Sequence, residues 1–366
     1  MKVRMLRRWI ARGVLAALFV SAPRVSPAES LALTQWDFAR DPALAAGDKL
    51  HRELQSFRYM SYFLRANTSS RQEQLARSMR LLEEIDAEHS RDVRLRFDLG
   101  ALLLLAGDEK RAATVLEGAL AAAPDHPSAI DAYWSLAIAY VKLGRFDEEI
   151  DAYEEFLRRA TSPDQRVRAL CNRAESQIRR ERLGEALRDY RESLILQPDD
   201  VLCHWGYAVA LDRSGDAPAG MAEATMAITF DPLDQALSNP GVFFLPTYER
   251  FWYEGLGAMA RAQQIDDPAT SVLWWEAAVV KWAGYLSFAP ADDRWVPLAK
   301  AHQASCQRRV DQAKKAAQRL AKGRKRVTVD GDDGDRGDIR KRPTTPVQPG
   351  NPPFKLSPFP PGPPTP

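Results

Sequence analysis

Residues 93–124 read VRLRFDLGALLLLAGDEKRAATVLEGALAAAP, and this stretch decides the fold. Two runs of helix-forming residues flank Gly107. Glycine tolerates positive φ and closes a helix there. Pro124 ends the second run, because proline can neither donate a backbone hydrogen bond nor let its predecessor stay helical. Gly100 and Ala112 are small, and Leu99, Leu103 and Leu116 are large. Small residues let two antiparallel helices approach, and the large ones fill the space that remains. The stretch predicts a helix, a short turn and a second helix.

The same layout returns down the chain. Windows 93–129, 130–166, 167–200 and 201–234 align, with starts 37, 37 and 34 residues apart. The small position of the first helix holds Gly100, Ala137, Ala174 and Ala208, and the turn holds Gly107, Gly144, Glu181 and Gly215. The small position of the second helix holds Ala112, Glu149, Ala186 and Gly220. The large apolar position after it holds Leu116, Tyr153, Tyr190 and Ala224, and the closing position holds Pro124, Thr161, Pro198 and Pro232. Self-similarity at such a period is the mark of a stacked repeat array.

On these residues the chain resembles the tetratricopeptide repeat (TPR) family, and more narrowly an exported bacterial TPR protein. The clearest carriers are Leu99-Gly100 with Ala112, Ala119 and Pro124, then Ala186-Leu187 with Tyr190 and Pro198. Glu149, Phe156, Thr161, Arg173 and Gln177 depart from the pattern. The resemblance implies an all-α, right-handed α-solenoid of helix-turn-helix repeats. Two degenerate units flank the four: His51–Asn67 with Arg71–Glu88 upstream, and Tyr248–Gln264 with Ser271–Phe288 downstream. A capping helix is predicted near Val296–Lys322. The domain reading is a signal peptide at 1–28, an N-terminal helical region at 29–92, repeats at 93–234, a degenerate repeat and cap at 235–322, and a charged, proline-rich tail at 323–366. The tail's composition cannot bury enough apolar surface to order itself.

The first residues read as an address. Six basic residues and no acid stand within 1–28, an apolar stretch runs from Gly13 to Ala22, and Ser26-Pro27-Ala28 offers a cleavage site. That is the layout of a secretory leader, and the stretch is too short to span a bilayer comfortably. No membrane insertion is expected after its removal, and the protein is expected to be exported, periplasmic in a Gram-negative cell. Without this segment, 45 basic residues face 49 acids. A mildly acidic chain lacks the basic footprint that nucleic acid requires. Of three cysteines, Cys171 and Cys203 fall on adjacent repeats. They read as small half-buried thiols, with a disulfide between neighbouring helices as the alternative.

In the family, the first helices line a concave groove that holds extended peptides or partner helices. The matching positions here are Trp134, Arg168, Asn172, Glu175, Arg179, Trp205, Asp212 and Arg213. Trp134 and Trp205 are expected to face the groove, where aromatic and arginine anchors carry binding energy. Asn172 stands alone at its kind of position, so no clamp for a terminal carboxylate is predicted. Phe243, Phe244, Trp252, Tyr253, Trp274, Trp275, Trp282 and Trp295 read as the core of the C-terminal unit, with Phe243-Phe244-Leu245 as a candidate docking patch. Glu148-Glu149 and Glu154-Glu155 read as solvated helix faces. No catalytic, metal or cofactor motif is found: the histidines are scattered, and the run Asp330–Asp338 departs from a calcium loop. The expected function is an exported protein–protein interaction scaffold within a cell-envelope assembly for secretion, motility or wall building, and not an enzyme. The alternatives are a domain of a cell-wall-acting enzyme and a self-assembling structural protein, the latter a homo-oligomer.

Overall fold

The computed structural model describes residues 33, 35–63, 69–239 and 242–329. Among them the chain is helical, with short 3-10 turns and no strand. The helices are α1 (Gln35–Arg40), α2 (Pro42–Phe63), α3 (Ser69–Glu84), α4 (Val93–Ala106), α5 (Glu109–Ala122), α6 (Ala129–Lys142), α7 (Phe146–Arg159), α8 (Pro163–Arg179), α9 (Leu183–Leu196), α10 (Val201–Arg213), α11 (Ala217–Phe230), α12 (Arg250–Gln263), α13 (Pro268–Phe288) and α14 (Val296–Val329). The four repeats are the hairpins α4–α5 to α10–α11, flanked by α2–α3 and α12–α13. α14 runs to Val329, into residues that the sequence reading gave to the tail. The stretch 1–28, read from the sequence as a secretory leader, and the residues 330–366 lie outside the described residues.

The turn column behaves as glycine chemistry requires. Gly107, Gly144 and Gly215 take φ of 85°, 73° and 95°, and Glu181 takes the same left-handed conformation at 62°. In α5 and α11 the next residue is an aspartate cap. Asp108 accepts from the Arg111 amide and Asp216 from the Ala219 amide. One residue thus ends a helix and the next begins another.

Packing between the paired helices follows the small and large columns. A Cβ on Gly100 would stand 2.4 Å from Leu116, and one on Gly220 would stand 2.8 Å from the Ala208 carbonyl oxygen. Tyr153 and Tyr190, the large residues of the middle repeats, are buried. The aromatic group of the C-terminal unit is also core. Trp252, Trp282 and Tyr285 are buried, and the Trp252 ring stands edge-on to those of Trp282 and Tyr285 at 5.0 and 4.9 Å.

Two expectations are corrected. Cys171 of α8 and Cys203 of α10 form a disulfide, their Cα atoms 5.5 Å apart, because first helices of consecutive repeats pack side by side. Cys306 is buried and free, and burial pushes its thiol up to about 11. Glu149 is not on a solvated face. It is 2% exposed, and the Ser176 hydroxyl on α8 donates to its Oε2. Burial raises its carboxyl to about 8, against the hydrogen bond from Ser176 and the charge of Arg179.

Candidate functional site

First helices touch first helices along the array: α2 meets α4, α4 meets α6, α8 meets α10, and α10 meets α12. One side of the chain is therefore lined by them. On that side Glu175, Ile178 and Arg179 of α8, Val209 and Arg213 of α10, and Tyr253 of α12 surround a small recess of about 20 Å³, partly open to solvent. Phe244 and Glu249, from the connection between α11 and α12, close its remaining edge.

The recess is lined by apolar side chains and by charges of both signs. The Tyr253 hydroxyl donates to Glu175 Oε1 at 3.3 Å, and Nη2 of the Arg179 guanidinium stands 3.5 Å from Glu175 Oε2. Burial holds the Glu175 carboxyl above its ordinary range, while Arg179 and Tyr253 pull it back. Arg179 also donates from Nε to the Leu245 carbonyl at 2.6 Å. Arg213 donates to Glu249 at 2.7 Å, and its guanidinium lies over Trp252 at 4.4 Å and Trp295 at 5.0 Å. Burial works against the Arg213 charge, but Glu249 and the neighbouring tyrosines outweigh it and raise the pKa.

Of the eight residues that the sequence nominates, the structure brings Glu175, Arg179 and Arg213 together in this recess. Arg168 is exposed on α8. Asn172 is spent within the scaffold, donating to the Tyr153 hydroxyl at 2.9 Å. Trp134 is half-buried and packs on its own hairpin, 5.6 Å from Tyr153 and 5.3 Å from Phe156. Two assignments are corrected outright. Trp205 is 1% exposed and sits in the core, because Gly257 of α12 leaves room for its ring; a Cβ there would lie 2.9 Å from it. Asp212 is 2% exposed and accepts from Trp252 Nε1 and His302 Nε2, each at 3.0 Å. It ties α10 to α12 and α14 and does not face a partner.

Tyr253, Phe244 and Glu249 belong to the recess and were not nominated for it. The concentration of aromatics placed Tyr253 and Phe244 in the core of the C-terminal unit, with Phe243-Phe244-Leu245 as a candidate docking patch, and nothing in the sequence pointed to Glu249. The usable signal was the length of the connection. Residues 231–249 separate α11 from α12, whereas 123–128, 160–162 and 197–200 suffice between the earlier hairpins. Long connections in compact domains are disproportionately functional.

The family model of the tetratricopeptide repeat matches residues 63–127, 111–164 and 171–234. No curated protein matches the sequence. Solved structures similar to part of the chain include MamA from Desulfovibrio magneticus RS-1, at 17% identity and a TM-score of 0.40, covering 49% of this chain and 95% of that one. MamA AMB-1 is similar at 19% identity and a TM-score of 0.42, covering 52% of this chain and 100% of that one. MamA MSR-1 stands at 16% identity and a TM-score of 0.41, with 52% and 97% covered.

Proposed function

We propose, from the premise that this chain is a tetratricopeptide-repeat protein and hence a protein-interaction scaffold, that it works outside the cytoplasm within a cell-envelope assembly. Its first-helix side takes an extended segment of a partner. The observation that carries the reading is the recess in which Glu175, Arg179, Arg213 and Tyr253 from three successive hairpins converge. Such a lining sets aromatic and apolar side chains beside two arginines, which is the composition of a binding hot spot.

Export is supported by two independent features. The leader-like layout of residues 1–28 is one. The Cys171–Cys203 disulfide is the other, since such bonds persist in oxidising compartments and are rare in the cytosol of mesophiles. The test is crosslinking in intact cells, followed by fractionation and recovery of the tagged protein. The reading predicts an envelope fraction, a specific protein partner, and loss of most of that partner with Arg179→Ala. Equal recovery of the partner by the variant would remove the recess from the binding surface.

A further inference from the structure

The recess is already in contact with the protein's own chain. The connection 231–249 is far longer than the step from one hairpin to the next demands, and its residues 242–246 form no helix. These residues reach back across α10 to α8. The Leu245 carbonyl accepts from Arg179 Nε at 2.6 Å, a contact between residues 66 apart. The Phe244 ring stands edge-on to Tyr253 at 5.1 Å and lines the recess. Its neighbour Phe243 is 42% exposed.

We infer that Val242–Pro246 is an intrachain occupant of the peptide subsite, and that a partner engages it by replacing this segment with one of the same chemistry: an aromatic side chain followed by a backbone carbonyl. The inference deepens the scaffold reading and rests on it. The contacts themselves make replacement feasible. A main-chain carbonyl is present in any peptide, so Arg179 can exchange one for another without loss. An aromatic ring against Tyr253 requires shape and not one particular residue. The recess also keeps a donor that the segment leaves unused. Arg213 is 8% exposed, and its Nε has no hydrogen-bond partner. A buried donor without an acceptor is unfavourable, so an incoming segment with a further acceptor would gain what Val242–Pro246 does not supply.

The test uses the full-length protein and a fluorescent peptide of residues 242–247. Phe244→Ala weakens the resident segment, and binding is read by anisotropy. The inference expects the variant to bind the peptide at least tenfold more tightly than the unsubstituted protein. It expects Arg179→Ala in the same background to lose at least fivefold of that gain. Equal binding by both proteins, or binding by neither, overturns it. A second measurement decides the matter if Phe244→Ala does not fold. Chymotrypsin cleavage after Phe243 and Phe244 should accelerate at least fivefold in Arg179→Ala alone, and an unchanged rate overturns the inference. Peptide binding without any partner recovered from cells would keep Val242–Pro246 as the occupant of the subsite and remove the scaffold reading, and with it the exchange for a partner. A partner recovered equally by the protein and by Phe244→Ala, with no peptide bound, would do the reverse.

Discussion

Glu149 offers the sharpest test of the packing between repeats. Its carboxyl is 2% exposed at a position where the other repeats carry a small residue, and burial raises it from 4.5 to about 8. In the unfolded chain it is ionised above its ordinary range. Between about pH 4.5 and 8 the folded protein therefore binds one proton that the unfolded chain does not. Stability from this group is fully present below pH 4.5 and is lost as pH rises to about 8. One pKa unit is worth about 1.4 kcal/mol, so the loss across the window is about 4–5 kcal/mol. Glu149→Gln keeps the shape and an acceptor for Ser176 but cannot ionise. Urea unfolding of both proteins at pH 5, 6, 7 and 8 reads the difference. The variant should be within about 1 kcal/mol of the unsubstituted protein at pH 5, on the scale of a single neutral hydrogen bond. It should be more stable at pH 8 by most of the figure above. A difference that stays flat across the window would refute the burial of this carboxylate as the cause.

Three further outcomes follow from named contacts. Replacing Cys171 and Cys203 by serine frees a loop of sequence separation 32, and chain entropy sets the cost at roughly 3–4 kcal/mol; denaturant midpoints with and without reductant measure it. Asp212→Ala leaves the Trp252 and His302 ring nitrogens without their acceptor. It should destabilise by about 3 kcal/mol while partner recovery per folded molecule stays unchanged, the opposite of Arg179→Ala. Glu181→Gly relieves a left-handed backbone held by a residue with a Cβ. It should raise stability by roughly 0.5–1 kcal/mol in thermal melts, since the ion pair with Arg294 that it removes is exposed and such pairs contribute little.

The repeats were legible because their columns encode contacts within one hairpin. Gly100 against Leu116 and the turn at Gly107 lie close in sequence, so spacing alone places them. The column even identified the turn at Glu181, where the residue type argued against it. What the sequence hid are contacts between hairpins. Glu148 and Glu149 are adjacent and alike, yet only Glu149 points at α8, where Ser176 receives it. Trp205 and Trp134 occupy first-helix positions of similar character. The absence of a side chain at Gly257, on another hairpin, is what admits Trp205 to the core. No periodicity within 201–234 contains that information.

The same distinction bears on what the first-helix side can bind. Acids at first-helix positions are largely used as ties within the array. Asp98 is held by His51 at 2.5 Å and by Gln55 at 3.2 Å, both from α2. Glu175 is held by Arg179 and Tyr253, and Asp212 by Trp252 and His302. Apart from the Glu175–Arg179 pair within α8, each tie joins a first helix to another hairpin or to α14, so it fixes the angle between elements and matches a charge that a ligand would otherwise meet. The arginines are treated likewise: Arg213 is stacked between two tryptophans and paired with Glu249. A groove whose charges are internally matched gains little from a strongly charged peptide, because each new pair must displace an existing one. It gains more from apolar area and from acceptors for arginine donors. The Phe244 ring and the Leu245 carbonyl present that chemistry to the recess now, so the array's internal bonding and its resident segment point to the same kind of ligand.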